Sequence, residues 1–420
     1  MNDHVRESRH GNYGWVICFA CALLLFCTGG LATTGFAVYQ PYLINIGGLT
    51  NTQSSTMLMF RTMFTLLGML TTRRLIARFE VRRVVTAACF VCGAAFLVYA
   101  FSSNVYLYFA GASLAGFALG CGGMIPVSIL ISRWFNEHRG LALGICMAAT
   151  GLSSIVASPV ITMLVQLFSL RTAFLAEAGF IMLAAVVVYS LLYSKPSCIN
   201  ARPVGRYQTN SAKTYAAHNA SKGLYFLMTA GIMLFGIPSN TISSHISVLY
   251  QSVGFSSAQI AVLVSIVGGL LAFGKCIYGL ISDKLGLFRA SAFLYAMLLV
   301  GAGMCCLADR LRFPAACAAS AFTGFGLAVL SVSISMYASS ISTEAEYAHT
   351  VTRFQIVSTL GSMLFGPVPG MIADRTGSYI PAFVVLFCTA LTAAALLLAT
   401  FRKIRMEDMA YLRSHRSAEA

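Results

Sequence analysis

A chain of 420 residues that is 58% hydrophobic, only 10% charged and formally +15 at pH 7 is not built for water on all sides. Soluble domains carry roughly 25% charged residues, and a soluble fold of this length could not hide so much apolar surface. Composition therefore excludes a soluble enzyme or a nucleic-acid-binding domain, despite the positive charge, and leaves the bilayer as the solvent.

A membrane helix needs about 20 mostly apolar residues. Hydropathy along the chain predicts twelve, near 15–38, 53–71, 84–101, 105–131, 141–167, 174–193, 224–249, 259–281, 288–307, 314–340, 354–372 and 380–401. The first lacks a small-residue cleavage site and runs on towards a second span, so it reads as an anchor and not a removable signal peptide. Residues 194–223 are polar, basic and nearly free of large apolar side chains. The expected fold is an all-α polytopic membrane protein with twelve transmembrane helices in two pseudo-symmetric six-helix bundles. The first bundle occupies 1–193, a cytoplasmic linker 194–223 and the second bundle 224–401. The segment 402–420 is a basic tail suited to a membrane surface and too short for a soluble domain.

The Lys and Arg residues supply the orientation. With the N-terminus cytoplasmic, 22 of the 28 fall in cytoplasmic segments and 4 on the opposite side: Arg171, Arg310, Arg312 and Arg375. Arg61 and Lys275 lie inside spans. That bias is the positive-inside pattern. It accounts for the net charge through anionic headgroups, with no nucleic acid. A multi-pass protein of the plasma membrane (the inner membrane in a bacterium), with both termini cytoplasmic, is the expectation.

The halves repeat a phrase. "GLTNTQ" at 48–53 and "GFSSAQ" at 254–259 share Gly48/Gly254, Thr50/Ser256 and Gln53/Gln259 at an offset of 206 residues. Thr50 and Ser256 are N-cap residue types, placed where the second helix of each half should begin. Inverted or parallel repeats of this kind put a binding site between the halves at mid-membrane.

The segment from Gly279 to Arg289, with Asp283, Lys284 and Gly286 between, fits G-x-x-x-D-[RK]-x-G-x-x-[RK]. It resembles the cytoplasmic gating-loop motif of the major facilitator superfamily. The family's usual copy follows span 2, where this chain has the degraded "RRLIARFEVRR". "NYGWV" at 12–16, "RWFNEHRGLALGICMAATGLSSIVASP" at 133–159 and "GPVPGMIADRTGSYIPAF" at 366–383 are similar to monocarboxylate transporters and the oxalate–formate group. The resemblance implies a secondary transporter of a small organic anion, with no cofactor and no catalysis.

Lys275, in "FGKCIYGL", stands where the resemblance implies a cation that binds the substrate carboxylate. The family's cation there is usually Arg; Lys serves as a point charge rather than a flat fork. The monocarboxylate branch often has Asp one turn earlier, and here that position is Leu271. The lysine that oxalate–formate members carry midway along span 11 is also missing from "IVSTLGSMLFG". Arg61 is a cation inside span 2 and faces either a cavity or a partner helix. Glu177 is an acid inside span 6, read as a local pairing partner or as a proton-coupling group. His245, opposite Tyr39 by the same offset, is a proton switch or a helix-packing hydrogen bonder. Tyr39, Gln40 and Asn240 complete the polar candidates. "YQP" and "GIPSN" set Pro beside them, in a pattern suited to local helix breaks.

Cys18/Cys21 and Cys89/Cys92 form C-x-x-C pairs, but within apolar helices. They read as small apolar residues and not as a metal site. No phosphate-loop motif appears, which argues against a pump driven by ATP. Two other functions stay open: an exporter of drug-like or other small molecules, and a membrane sensor that transports nothing. Coupling to a co-transported proton, exchange and uniport are equally open.

Overall fold

The repeated phrase is a repeated structure. In the computed structural model, Thr50 and Ser256 each accept a hydrogen bond from the backbone N–H of Gln53 and Gln259, and each Gln side chain caps back onto the N-cap N–H. These are two capping boxes, one per half. Gly48 (φ 70°) and Gly254 (φ 91°) hold the left-handed turn that precedes each box.

The structure describes residues 13–136, 139–199, 203–204 and 221–419. The N-terminal segment 1–12 and most of the predicted linker lie outside the described residues. Among the described residues twelve long helices follow one another: α1 Tyr13–Asn45, α2 Asn51–Arg78, α3 Val81–Ala100, α4 Val105–Trp134, α5 Arg139–Leu167 and α6 Leu170–Leu191 in the first half. The second half holds α7 Lys222–Ser252, α8 Ser257–Leu285, α9 Leu287–Cys305, α10 Phe313–Ile341, α11 in two pieces (Glu344–Phe365 and Val368–Thr376) and α12 Ile380–Glu419. No strand forms among the described residues beyond one isolated parallel bridge, Phe135 to Val204.

Eleven of these helices are long and apolar enough to cross a membrane. The exception is α2, predicted as a span at 53–71. It hides its polar side chains against protein: Ser54, Ser55, Arg61, Thr62, Thr65 and Thr72 are all buried. Four of its threonines return their hydroxyls to carbonyls one turn back, so lipid meets little polar surface. Helix α12 continues unbroken past residue 401 into the predicted tail.

Glycines show how closely the halves repeat. A Cβ built on Gly30 would lie 2.2 Å from Ser153 Oγ, where α1 crosses α5. Its counterpart 206 residues on, Gly236, would meet Ser358 O at 2.1 Å, where α7 crosses α11. Gly116 of α4 would meet Arg61 O at 2.0 Å, and Gly324 of α10 would meet Val267 O at 2.3 Å. Small residues let backbones touch where apolar lipid supplies no hydrophobic drive between helices. By the same offset, Arg61 stands opposite Val267 and Lys275 opposite Met69. The intramembrane cations therefore break the repeat.

The halves join chiefly at α5 with α8, α2 with α11, and α1 with α7, and the Phe36–Val38 turn of α1 also touches α8. At the first, Gly151 would place a Cβ 2.4 Å from Gly268 O, and Gly268 one 2.3 Å from Ser154 Cβ. Helix α1 is irregular, passing through a π-helical stretch Phe26–Gly35 and a 3₁₀ turn Phe36–Val38. The break expected near "YQP" thus lies just before it. In contrast, α7 stays helical through Pro238, contrary to the break expected at "GIPSN". Gly236, two residues earlier, seats that stretch directly on the α11 backbone, which holds the helix in line.

Candidate functional site

The predicted polar residues fall into three separate arrangements. The first lies at the junction of α5 and α8. Lys275 projects from α8 of the second half, and its Nζ donates to Thr150 Oγ1 of α5 in the first half at 2.7 Å. The side chain is half-buried. Among the described residues its ammonium has no acidic partner. Nearby hydroxyls extend the polar surface into α1: Thr34 Oγ1 donates to Thr150 O at 2.9 Å and approaches Ser153 Oγ at 3.5 Å. A cation with no acidic partner, held by one hydroxyl at the contact between the halves, is an anion-attracting arrangement.

The second is a seam between α2 and α7. Arg61 is buried; Nη1 donates to Ala32 O of α1 at 2.9 Å, and Nη2 to Ser244 Oγ of α7 at 3.4 Å. Its guanidinium thus bridges three helices across the two halves. One turn or so nearer the helix end, His245 Nε2 lies 2.9 Å from Ser55 Oγ of α2. His245 Nδ1 lies 3.0 Å from Thr241 O. A carbonyl only accepts, so Nδ1 carries a hydrogen, and in the neutral ring Nε2 accepts from Ser55. Ser247 Oγ donates to Ala37 O at 2.5 Å, tying α7 to α1.

The third is internal to the first half. Tyr39 Oη donates to Glu177 Oε2 at 2.7 Å, and the Tyr39 ring stacks on Phe174 at 4.3 Å. Both residues are buried. Glu177 Oε1 has no hydrogen-bond partner. Gln40 is also buried; its Nε2 reaches Ser54 Oγ at 3.4 Å, and its Oε1 has no partner. Asn240, in contrast, is exposed.

Of the predicted gating motif, Lys284 and Arg289 are exposed. Gly286 ends α8 at φ 83°, its N–H bonded to Ser282 O at 2.9 Å. The surroundings of Gly279 and Asp283 lie outside the described residues. A cavity of about 630 Å³ opens within the first half, beside the 46–49 and 101–105 turns and Arg171. Among the predicted site residues it holds none, and Arg171 there lies over the Phe101 ring at 4.5 Å.

Sequence reasoning missed Asp374. Its carboxylate accepts from the Asn51 N–H (3.2 Å), Asn51 Nδ2 (2.8 Å), the Thr52 N–H (2.8 Å) and Thr52 Oγ1 (2.5 Å), at the start of α2. A signal was present: Asp374-Arg375-Thr376-Gly377 repeats the D-[RK]-x-G pattern of Asp283–Gly286, and Gly377 (φ 73°) also ends its helix in the left-handed region. Thr150, Ser55 and Ser244 were missed as well, because single hydroxyl residues in apolar helices carry no pattern.

Among the described residues, twelve helices in two halves, with a cation where the halves meet, match the architecture of a polytopic membrane transporter family. The chain belongs to the Major Facilitator Superfamily, whose sequence profile matches residues 20–206 and 228–411. It is 23% identical to monocarboxylate transporter 12 of Rattus norvegicus over 427 residues, covering 94% of this chain and 86% of that one. It is 28% identical to the probable transporter MCH2 of Saccharomyces cerevisiae over 318 residues, covering 70% of this chain and 62% of that one. The fold matches crystal structures of the nucleoside transporter NupG (TM-score 0.72, 12% identity, 93% of this chain and 100% of that one) and a D-xylose-proton symporter (TM-score 0.72, 13% identity, 92% and 97%).

Proposed function

We propose that this chain is a secondary active transporter of the plasma membrane that moves a small organic anion, a monocarboxylate in the first instance. It works by alternating access, the halves rocking over the α5–α8 contact. The observation that carries this reading is Lys275: a half-buried ammonium at that contact, with Thr150 as its hydroxyl partner. Such a charge is tolerated inside a membrane beside a cavity or partner, and a carboxylate supplies the missing counter-charge. The relatives named monocarboxylate transporters favour the same class. The bias of Lys and Arg supports a cytoplasmic position for both termini and the linker.

The test is a thermal-shift screen of the purified protein against short mono- and dicarboxylates. A ligand that binds the folded state raises its melting temperature, by about 2.7 kcal/mol of stabilisation at 100 times Kd. A carboxylate should stabilise the wild type and not Lys275→Ala. If no carboxylate does so while a neutral nucleoside or sugar does, the anion reading fails. The topology has its own test: a cysteine at position 211 should be unreactive to an impermeant reagent added outside intact cells.

A further inference from the structure

We propose that Asp374 is a latch that holds the halves together at the end of the bundle poor in Lys and Arg, and so sets the balance between the two access states. The proposal rests on the alternating-access reading. Asp374 sits on the last turn of α11, in the second half, and all four of its hydrogen bonds go to the first two residues of α2, in the first half. Two donors are backbone N–H groups of a helix N-terminus, which have no partner inside their own helix. The carboxylate also lies at the positive end of the helix dipole. Tyr379, five residues on, donates its hydroxyl to Asn51 Oδ1 at 3.0 Å, and Gly370 would place a Cβ 2.2 Å from Asn51 O. The three contacts clasp one corner of the interface.

Two features mark a releasable contact rather than a strut. First, α2 does not depend on Asp374 to start: Thr50 and Gln53 cap it by themselves. The latch can open without unwinding the helix. Second, the device is one-sided. The start of α8 in the other half has the same capping box, but Ser257 and Ala258 stand in place of Asn51 and Thr52, so the second side-chain donor is gone. Among the described residues no carboxylate is bonded there. The α5–α8 corner is instead closed by the glycine contact, with only single hydrogen bonds beside it, Lys275 Nζ to Thr150 Oγ1 and Ser265 Oγ to Ser154 O, and no carboxylate gathering several donors. A hinge at one corner and a polar latch at the other follow from that difference. Asp374 is solvent-exposed, so the contact is reversible by exchange with water.

The experiment measures distances between spin labels on the full chain in lipid nanodiscs, with the exposed Cys198, Cys276 and Cys388 replaced by Ser. One label pair, Ser103→Cys with Arg310→Cys, reports the latch end; another, Phe79→Cys with Leu285→Cys, reports the basic end. Asp374→Ala should shift the closed-to-open ratio of the first pair by roughly tenfold, the low end for charged hydrogen bonds because water competes. Thr52→Val, which removes a single donor, should shift it less in the same direction. It also carries the test if Asp374→Ala does not fold. Asp309→Ala, another acid at the same end, should change nothing. An unchanged first pair in Asp374→Ala or Thr52→Val overturns the latch. If the first pair opens and the second closes, latch and alternating access both stand. If the first opens and the second does not respond, the latch stands and alternating access fails.

Discussion

Tyr39 and Glu177 are joined by a 2.7 Å hydrogen bond that ties α1 to α6 inside one half, with Phe174 stacked on the tyrosine. Both were candidates for the transport pathway. The structure turns them towards each other, which favours a fixed role within the first half. A double-mutant cycle with Tyr39→Phe and Glu177→Gln measures it. Each single change should lower thermal stability, and the pair should show a coupling of about 1 kcal/mol. Strict additivity would show that the contact contributes nothing.

The same geometry separates Glu177 from His245, which faces the seam between the halves through Ser55. Only one of the two stands where a moving half would break its hydrogen bond. His245→Gln should therefore impair transport, while Glu177→Gln should leave much of it at equal expression. Loss of transport in both would assign Glu177 a coupling role. The observable is initial uptake rate in reconstituted vesicles, with and without an imposed pH difference.

The glycine at the hinge gives a packing prediction. Gly151→Ala would set a Cβ 2.4 Å from Gly268 O, a backbone atom that cannot swing aside. Overpacking of this kind typically costs 1–3 kcal/mol. Gly144→Ala, on the same helix with nothing within 4 Å, should be neutral or slightly stabilising. Equal melting temperatures for the two variants would remove the α5–α8 contact from the account.

Much of the fold was legible because membrane folding leaves few choices. Long apolar runs must be helices, since backbone groups have no other partners in lipid. The capping boxes announced the duplicated start of α2 and α8 from three residues each. What the sequence withheld was pairing across the halves. Thr150, Ser55 and Ser244 are ordinary residues whose importance comes from what stands opposite, more than a hundred positions away. Asp374 lay in a quoted, family-like stretch, yet its partner is the beginning of a helix and not a charged side chain. A search for complementary charges passes over it. Arg61 was legible as a buried cation, but whether it met a ligand or a helix was a matter of geometry.

Arg61 spreads two N–H groups between Ala32 O and Ser244 Oγ, on helices of different halves. Lys cannot reproduce that fork. Arg61→Lys should loosen the seam and lower the melting temperature. Ser244→Ala, which removes the weaker bond only, should have a smaller effect on transport. Should Arg61→Lys behave like the wild type in both measurements, the forked bridge is not what holds α2 to α7.

Lys275 carries the functional proposal, and its surroundings make the substitution series informative. Its ammonium donates to Thr150 Oγ1 at 2.7 Å, and Leu271, one turn earlier, brings no carboxylate to neutralise it. Lys275→Ala should abolish anion binding and transport while the protein folds, because removing a charge that has no acidic partner relieves a desolvation cost. Lys275→Arg should keep part of the activity, since charge persists while shape changes. Thr150→Val removes the hydroxyl that holds the ammonium without removing the charge, so it should weaken binding several-fold and not abolish it. The three variants are ranked by apparent affinity for a carboxylate in the thermal-shift assay and by uptake. An order in which Thr150→Val is as damaging as Lys275→Ala would place the essential group on α5. Normal transport by Lys275→Ala would end the anion-site reading and leave a neutral substrate held by the hydroxyls of Thr34, Thr150 and Ser153.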